Sequence, residues 1–329
     1  MKLIVDSDGG IDDAVALWWL CGRSDVDVVA VTAVGGSVPV HDAGRNLRVI
    51  LEAAGRPDIP VHVGLDPTGP APPTRRPVLI HGHDGLGDLG PRVPVEPALT
   101  APTGPEVIAR EVSAGTSLLT LGPLTNVAAA VRSSAGTAKA RLTLMGGSAR
   151  AGGNARPGAE ANIAHDPSAA AAVLAADWAA PPLMIGLDVT HTATLTDDEL
   201  GLLRRRLTPA ADFLDGPLAV YRRFGAGLCP PGQTPCHDLL AAMACVDPTL
   251  VTAEVLPVAV DTGGSAAWGQ TVVDMRPLAR RRSGGATLPD DGNAAADGSP
   301  VAVALDADVS RFRRLVRELF AGSHLLQIS

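Results

Sequence analysis

The sequence predicts an α/β fold, a doubly wound and mostly parallel sheet flanked by helices. Short apolar runs rich in β-branched residues alternate with alanine-rich runs of helical composition, an order typical of parallel sheets. Runs such as 28–34 are apolar at almost every position, as expected for strands that are buried on both faces. Sites in such sheets lie at the carboxyl ends of the strands, so polar residues that follow a strand are the first functional candidates.

The predicted elements alternate along the first 190 residues and continue more sparsely afterwards. The sequence favours strands at 2–6, 28–34, 116–121, 141–145 and 182–187. Helices are predicted near 12–22, 39–55, 123–133 and 166–176, then at 237–246 and from Asp306 to Phe320.

The chain is long enough to form one large domain. It has 329 residues, 46% of them hydrophobic, and we predict a single domain over 1–329. Two Pro/Gly-rich segments, 65–77 and 226–235, are predicted to be flexible loops near the site. The Gly/Ala/Asp-rich stretch 283–299 has the composition of a disordered insertion.

Composition and charge narrow the range of partners and compartments. The net charge is −8 and no basic stripe is present, which argues against nucleic acid and acidic membrane surfaces as partners. No run of 18 apolar residues and no leader-type segment is found, so a cytoplasmic location is expected. The four cysteines show neither metal-type spacing nor the density of a disulfide scaffold.

Four carboxylates crowd into eight positions behind the first predicted strand: Asp6, Asp8, Asp12 and Asp13. Residues two apart in an extended segment face the same side, so the first two can point together. The glycine pair 9–10 permits a tight turn, after which the other two open a helix. Like charges this close raise one another's pKa or require a cation, and a hard divalent metal bound through oxygen is the simplest answer.

Two other uses of such a turn fit the residues less well. A dinucleotide loop delivers phosphate to a helix N-terminus, but here the carboxylates would repel it. A metal-dependent phosphotransferase of the Asp-x-Asp-x-Thr/Ser type would need a hydroxyl where Gly10 stands. That chemistry also uses a lysine, and Lys2 and Lys139 are badly placed.

The motif at 5–14 resembles the Asp-x-Asp-Pro-Gly-x-Asp-Asp-Ala motif of the inosine–uridine-preferring nucleoside hydrolases. Gly9 stands at the family's proline, a loss of rigidity rather than of a ligand. Further matches follow in family order up to about residue 274, at 81–85, 121–126, 145–147, 154, 160–162, 166–167, 186–191 and 237–238. The resemblance implies a Rossmann-like nucleoside hydrolase fold and hydrolysis of the N-glycosidic bond of a ribonucleoside to free base and ribose.

The resemblance also implies a metal centre and two catalytic residues. It implies Ca²⁺ held by Asp8, Asp13, Asp238 and the backbone carbonyl of Leu121, with Asp6 behind them orienting water or ligands. An all-oxygen ligand set suits Ca²⁺ on chemical grounds as well. Asp8 would activate a Ca²⁺-bound water as general base. His237, beside a ligand aspartate at a predicted helix start, is the candidate proton donor for the leaving base.

The substrate side is assigned by the same resemblance. Asp12 and Asn162 would contact the 2′ and 3′ side of the ribose, and Asn154 and Glu160 the 5′-hydroxyl. Amide groups both donate and accept hydrogen bonds, which suits a sugar. Ser37 stands where the family usually has an asparagine that reaches the sugar. The remaining substrate-binding candidates are His81, Met145, Tyr221 and Phe224, with Tyr221 and Phe224 expected near the leaving base.

Relatives imply a homodimer or homotetramer. The alternative to an enzyme is a catalytically weak ribosyl-binding or regulatory protein on the same scaffold, for which Ser37 is the single point in favour.

Overall fold

The computed structural model describes residues 1–68, 80–89, 102–133, 140–225, 230–276 and 298–322. Strands, numbered in chain order, are β1 Lys2–Ser7, β2 Asp27–Ala33, β3 Val61–Val63, β4 Ser117–Thr120, β5 Leu142–Met145, β6 Leu183–Ile185, β7 Thr194–Thr196, β8 Gln233–Pro235, β9 Val251–Val260, β10 Thr271–Val273 and β11 Ser299–Ala307. Helices are α1 Ile11–Cys21, α2 Val40–Ala53, α3 Gly104–Ser113, α4 Thr125–Ser133, α5 Ala161–His165, α6 Pro167–Leu174, α7 Leu187–Thr190, α8 Asp197–Arg204, α9 Pro209–Gly225, α10 His237–Val246 and α11 Val309–Ala321.

The described residues form a nine-stranded sheet in the order β10-β9-β11-β6-β5-β4-β1-β2-β3. Every pair from β11 to β3 is parallel, whereas β9 pairs antiparallel with β10 and β11. The chain runs outward from β1 to β3, then returns to β4 on the other side of β1. The direction of winding therefore reverses between β1 and β4, the place where α/β sheets bind their ligands.

Helices cover both faces of the sheet, as the doubly wound prediction requires. Alternate residues of β1 enter different cores, with Leu3 and Val5 on one side and Ile4 on the other. The first core packs α1, α2, α10 and α11 against the sheet, and the second packs α3, α4 and α6. Because β1 is buried on both faces, a polar residue within it must find a buried partner.

The structure corrects two boundaries. The helix predicted from Asp306 begins at Val309, because Asp306 and Ala307 still pair with β9 and the Asp308 side chain caps the helix. The predicted loop 226–235 ends in strand β8, which pairs with β7. Residues 69–77, 226–229 and 283–297 lie outside the described residues. In the described ranges, no helix has the length and apolarity needed to cross a membrane.

Asn126, at the start of α4, ties three segments together beneath the site. Its amide nitrogen donates to Asp6 Oδ1 at 2.8 Å and to the carbonyl of Ala33 at 2.9 Å. Its amide oxygen accepts from the backbone N–H of Leu65 at 2.9 Å. Asn126 is fully buried, and its loss would remove one hydrogen bond from each of these three groups, although Asp6 Oδ1 would keep Thr32 and the Ala33 carbonyl would keep the Gly64 N–H.

Asn126→Ala should therefore lower the free energy of unfolding by about 2–4 kcal/mol, since it removes three hydrogen bonds that join separate segments and leaves a cavity. Urea denaturation monitored by circular dichroism measures the change. Ser133→Ala is the control, because it removes a single half-buried bond to the Ala130 carbonyl at the end of the same helix. Equal stabilities for the two variants would contradict the bridging role.

Candidate active site

Asp6 is a buried carboxylate within β1. Its Oδ1 accepts from Thr32 Oγ1 at 2.5 Å and from Asn126 Nδ2 at 2.8 Å. Its Oδ2 is buried and has no hydrogen-bond partner among the described residues. Burial raises the pKa of Asp6 to about 7, and the two hydrogen bonds only partly oppose this. Asp6 thus bonds to β2 and α4 and is not one of the three carboxylates that converge.

Three buried carboxylates converge where α1 and α10 begin. Asp12 and Asp13 lie in the first turn of α1 and Asp238 in the first turn of α10, and their oxygens lie within 4.8 Å of one another. Burial and the neighbouring negative charges raise the pKa of Asp13 and of Asp238 well above the ordinary value. Asp13 accepts hydrogen bonds from Ser7 Oγ and from the Gly10 N–H. Such an oxygen-only cluster has the chemistry of a site for a hard divalent cation.

Asp8 lies beside this cluster but does not belong to the three that converge. Its Oδ2 accepts the backbone N–H of Ser37 at 2.7 Å, while its charge still raises the pKa of Asp13 and Asp238. Asp8 is also closely enclosed: a Cβ at Gly36 would lie 2.2 Å from Asp8 Oδ2, and one at Gly122 would lie 3.1 Å from Asp8 Cβ. The structure therefore groups Asp12 with the carboxylates, although the resemblance assigns that residue to the sugar.

Gly9 has a φ of +70°, a conformation that proline cannot adopt. A Cβ there would also lie 3.0 Å from the carbonyl of Ala43. The residue at the family's proline position thus gives this turn a backbone path that requires glycine.

The polar loop after β5 is held by its own side chains. Glu160 caps α5 by accepting from the N–H groups of Asn162 and Ile163, and it also accepts from Gly147. Burial raises the pKa of Glu160 to about 7 against these hydrogen bonds. Asn154 Oδ1 accepts the N–H of Ala161 at 2.9 Å. The structure thus gives Glu160 and Asn154 a role in shaping the loop.

Asn162 connects this loop to the ends of two central strands. Its Nδ2 donates to the carbonyl of Leu121 at 2.8 Å and to that of Met145 at 3.1 Å, and it lies 3.4 Å from Met145 Sδ. The Leu121 carbonyl, predicted as a metal ligand, therefore already accepts one hydrogen bond. A carbonyl oxygen has two lone pairs, so a second interaction remains open to it.

Tyr221, on α9, contacts the acidic cluster directly. Its hydroxyl donates to Asp12 Oδ2 at 3.1 Å, and its ring lies 5.5 Å from that of His81. His81 Nδ1 in turn accepts the N–H of Ile11 at 3.2 Å, at the start of α1. Burial and the nearby carboxylates raise the pKa of Tyr221 well above its usual value. The side chain of Phe224, the other aromatic candidate, lies outside the described residues.

His237 begins α10 and is partly buried beside Asp238. Its Nδ1 lies 2.8 Å from Thr190 Oγ1, and its ring meets that of His191 edge-on with centroids 5.8 Å apart. Burial lowers the pKa of His237 to about 4. The charges of Asp12, His81 and His191 also act on this ring, so His237 lies on the same side of the molecule as the acidic cluster.

Four hydrogen-bond partners of the site residues were not identified from the sequence: Ser7, Thr32, Asn126 and Thr190. Tyr221 was expected in the site, but near the leaving base and not as a partner of Asp12. Asn126 and Thr190 fall within matched motifs at 121–126 and 186–191, which was the available signal. Thr32 carried no signal, because a threonine in a buried strand fits ordinary β-propensity.

Clustered buried acidic residues, a polar loop and a histidine beside them, on a doubly wound sheet, form the kind of site at which α/β enzymes bind and cleave small polar substrates. The family model for inosine-uridine preferring nucleoside hydrolase matches residues 3–314. The chain belongs to this family.

Individual relatives agree over nearly the whole length. The chain is 32% identical to probable uridine nucleosidase 2 of rice (Oryza sativa subsp. japonica) over 97% of this chain and 92% of that protein. It is 34% identical to the non-specific ribonucleoside hydrolase of Escherichia fergusonii over 98% of each chain. The solved purine-preferring ribonucleoside hydrolase from Gardnerella vaginalis superposes with a TM-score of 0.82 at 30% identity, covering 98% of this chain and 99% of that one.

The comparisons confirm three predictions made from the sequence. The fold is the mostly parallel α/β fold of nucleoside hydrolases. The protein is an enzyme, a hydrolase that acts on N-glycosyl bonds. Its reaction is the hydrolysis of the N-glycosidic bond of ribonucleosides.

Proposed function

We propose that this hydrolysis uses Ca²⁺ held by Asp8, Asp13, Asp238 and the carbonyl of Leu121, with Asp8 as general base and His237 assisting departure of the base. The observation that carries the proposal is the convergence of buried carboxylates at the starts of α1 and α10. Burial first, and the neighbouring negative charges second, raise the pKa of Asp13 and of Asp238, and a bound cation would oppose both effects. The donor set is oxygen only, which fits Ca²⁺.

The reaction needs an activated water, and the proposed metal centre and Asp8 would supply it. A Ca²⁺ ion held by these residues would offset part of their negative charge and lower the pKa of a coordinated water. Asp8, whose Oδ2 is oriented by the Ser37 N–H, would accept the proton of the attacking water. Ser37 then acts through its backbone, so its short side chain is compatible with catalysis.

The ribose would be held between Asp12 and the loop that follows β5. N-glycosidic cleavage passes through a flattened, oxocarbenium-like ribose, and hydroxyl contacts that strengthen in that state accelerate the reaction. Tyr221 restricts the orientation of the Asp12 carboxylate, and the backbone bonds of Glu160 and Asn162 fix the loop. Rigid donors and acceptors of this kind favour one substrate geometry.

We propose that the base lies near His81, His237 and Tyr221. Tyr221 is 5% exposed and its hydroxyl is bonded to Asp12, so it offers little ring surface for stacking. Grip on the base would then come from hydrogen bonds more than from aromatic stacking. The relatives are named as uridine-acting, purine-preferring and non-specific enzymes. We expect turnover of both purine and pyrimidine ribonucleosides.

The direct test is release of reducing sugar from a panel of purine and pyrimidine ribonucleosides, before and after removal of divalent metal with a chelator. Activity should disappear on chelation and return with Ca²⁺. Absence of hydrolysis with every nucleoside, combined with intact Ca²⁺ binding by calorimetry, would support the ribosyl-binding alternative instead. Hydrolysis that survives chelation would contradict the metal proposal.

Asp8→Asn and Asp12→Asn separate the two assignments of the acidic residues. Asp8→Asn should lower Ca²⁺ affinity by at least about tenfold, because even groups that only orient metal ligands contribute that much. Asp12→Asn should keep Ca²⁺ binding and raise the KM for nucleosides, because the amide alters a sugar contact. Calorimetric Ca²⁺ titration and steady-state kinetics distinguish the roles. If Asp12→Asn instead loses Ca²⁺ affinity and Asp8→Asn keeps it, Asp12 is the metal ligand and Asp8 is not.

Self-association is a further part of the proposal, as a homodimer or homotetramer. The outer strands β9 and β10 carry two half-exposed valines, Val255 and Val272, each 51% exposed. Two separate valines are ordinary on a protein surface, so this part of the proposal rests on the resemblance to the family. Light scattering coupled to size-exclusion chromatography measures the mass, and a monomer at micromolar concentration would contradict this part.

A further inference from the structure

The environment of His237 suggests a role for the residue that holds its ring. His237 Nδ1 lies 2.8 Å from the hydroxyl of Thr190, the last residue of α7. Thr190 is fully buried, and its position is set by its backbone bond to Gly186 at the start of that helix. A Cβ at Gly186 would lie 2.8 Å from the Gly147 carbonyl, so this helix begins in close contact with the turn after β5.

The hydrogen of the Thr190 hydroxyl decides the direction of this bond. Within the described ranges, the hydroxyl makes no hydrogen bond other than that to His237. A buried hydroxyl hydrogen without an acceptor is costly, and a neutral imidazole has one nitrogen that accepts and one that donates. The satisfied arrangement has Thr190 donating to Nδ1, which leaves the ring hydrogen on Nε2.

We propose that Thr190 is a positioning residue that fixes His237 in the tautomer with its hydrogen on Nε2. Nδ1 is then held against α7, and Nε2 is the ring nitrogen left to face a ligand. His237 belongs to the group of rings and charges around the acidic cluster, with Asp12 and His81. The imidazole of His237 therefore offers its Nε2–H as a hydrogen-bond donor to a leaving group on the side of the acidic cluster.

This inference rests on the proposed function only for its consequence in catalysis. As the N-glycosidic bond breaks, its electron pair moves onto the base, and the base becomes a better acceptor. The Nε2–H of His237 can donate to that developing charge without losing its hydrogen. Donors already oriented before the bond breaks stabilise such charge efficiently. The tautomer with its hydrogen on Nδ1 would direct the Nε2 lone pair at the developing negative charge on the base.

Thr190→Val and Thr190→Ser test the kinetic part. Valine keeps the shape and removes the hydroxyl, so kcat for a nucleoside should fall about tenfold with KM and Ca²⁺ affinity unchanged. Serine should restore most of the rate. Thr192→Val is the matched control, since that hydroxyl, two residues further on, donates to the Val189 carbonyl instead. Unchanged kcat in a folded valine variant would overturn the proposal.

The structural part is tested independently of activity. Long-range ¹H–¹⁵N correlation spectra of the labelled protein at alkaline pH, assigned with His237→Asn, report which ring nitrogen carries the hydrogen. We expect Nε2–H in the native protein and in the serine variant, and a mixture of tautomers in the valine variant. A hydrogen on Nδ1 in the native protein would overturn the inference. Failure of the proposed function would appear differently, as no nucleoside hydrolysis with this tautomer intact.

Discussion

Asp13→Asn should abolish nucleoside hydrolysis and Ca²⁺ binding together. Asp13 is almost fully buried, shares the cluster with Asp12 and Asp238, and is oriented by Ser7 and by the Gly10 N–H. An amide has nearly the same shape but carries no charge and one fewer accepting oxygen. We expect turnover to fall at least about 10³-fold, because the loss affects both the metal and the orientation of the attacking water.

Calorimetry with Ca²⁺ and reducing-sugar release measure the two losses on the same preparation. Asp42→Asn is the matched control, since that aspartate forms an exposed ion pair with Arg45 on α2 and should change neither quantity. Thermal unfolding of both variants excludes a folding defect. Ca²⁺ affinity retained by Asp13→Asn would remove Asp13 from the ligand set and contradict the proposed centre.

His237→Ala should lower kcat by about 10²–10⁴-fold while leaving Ca²⁺ affinity unchanged, because it removes the donor to the leaving base. The metal ligand Asp238 is the next residue, but the histidine side chain turns toward Thr190 on α7. A ribose carrying a good leaving group, such as a nitrophenolate, needs no such donor. We therefore expect hydrolysis of that substrate to be nearly insensitive to the change.

The comparison of the two substrates is the decisive measurement for His237. His41→Ala is the control, because His41 is an exposed histidine on α2 for which no role is proposed. Equal loss of rate for nucleoside and nitrophenyl riboside would show that His237 acts on the sugar or the water, not on the base. Loss of Ca²⁺ affinity would show that the histidine supports the metal site.

The sequence predicted the elements of the site better than their contacts. The acidic residues at 6–13 and the pair at 237–238 were found because short motifs record which residue types occur next to one another. The sheet and its winding followed from alternating composition, and β1, β2, β4, β5 and β6 lie within two residues of their predicted bounds. Alternation is local, so a single sequence was sufficient for it.

The sequence did not predict contacts between residues that are far apart in the chain and meet only in the folded protein. Tyr221 was expected near the leaving base, but its hydroxyl bonds to Asp12 across 209 positions of the chain. Thr190 lies in a matched motif, but its bond to His237 was not predicted, because the sequence does not show which group a threonine hydroxyl will contact. The long antiparallel strands β9 and β11 were also missed. Their apolar runs lie beyond the region of clear alternation, where strand and buried helix segments look alike.

The distribution of the acidic residues along the chain has a consequence for biosynthesis. Asp6, Asp8, Asp12 and Asp13 emerge from the ribosome first, but the burial that raises the pKa of Asp13 depends on the packing of α1 against α10, which is made much later. Until then Asp12 and Asp13 stay in contact with water, which weakens their repulsion relative to the buried site. A nascent chain that ends before residue 237 therefore lacks the Asp238 carboxylate and the packing that create the crowded site. The desolvation of Asp13 and Asp238 therefore arises only when the last third of the chain packs against α1, whereas Asp6 is bonded to Thr32 on β2 and Asn126 on α4, both of which come earlier in the chain.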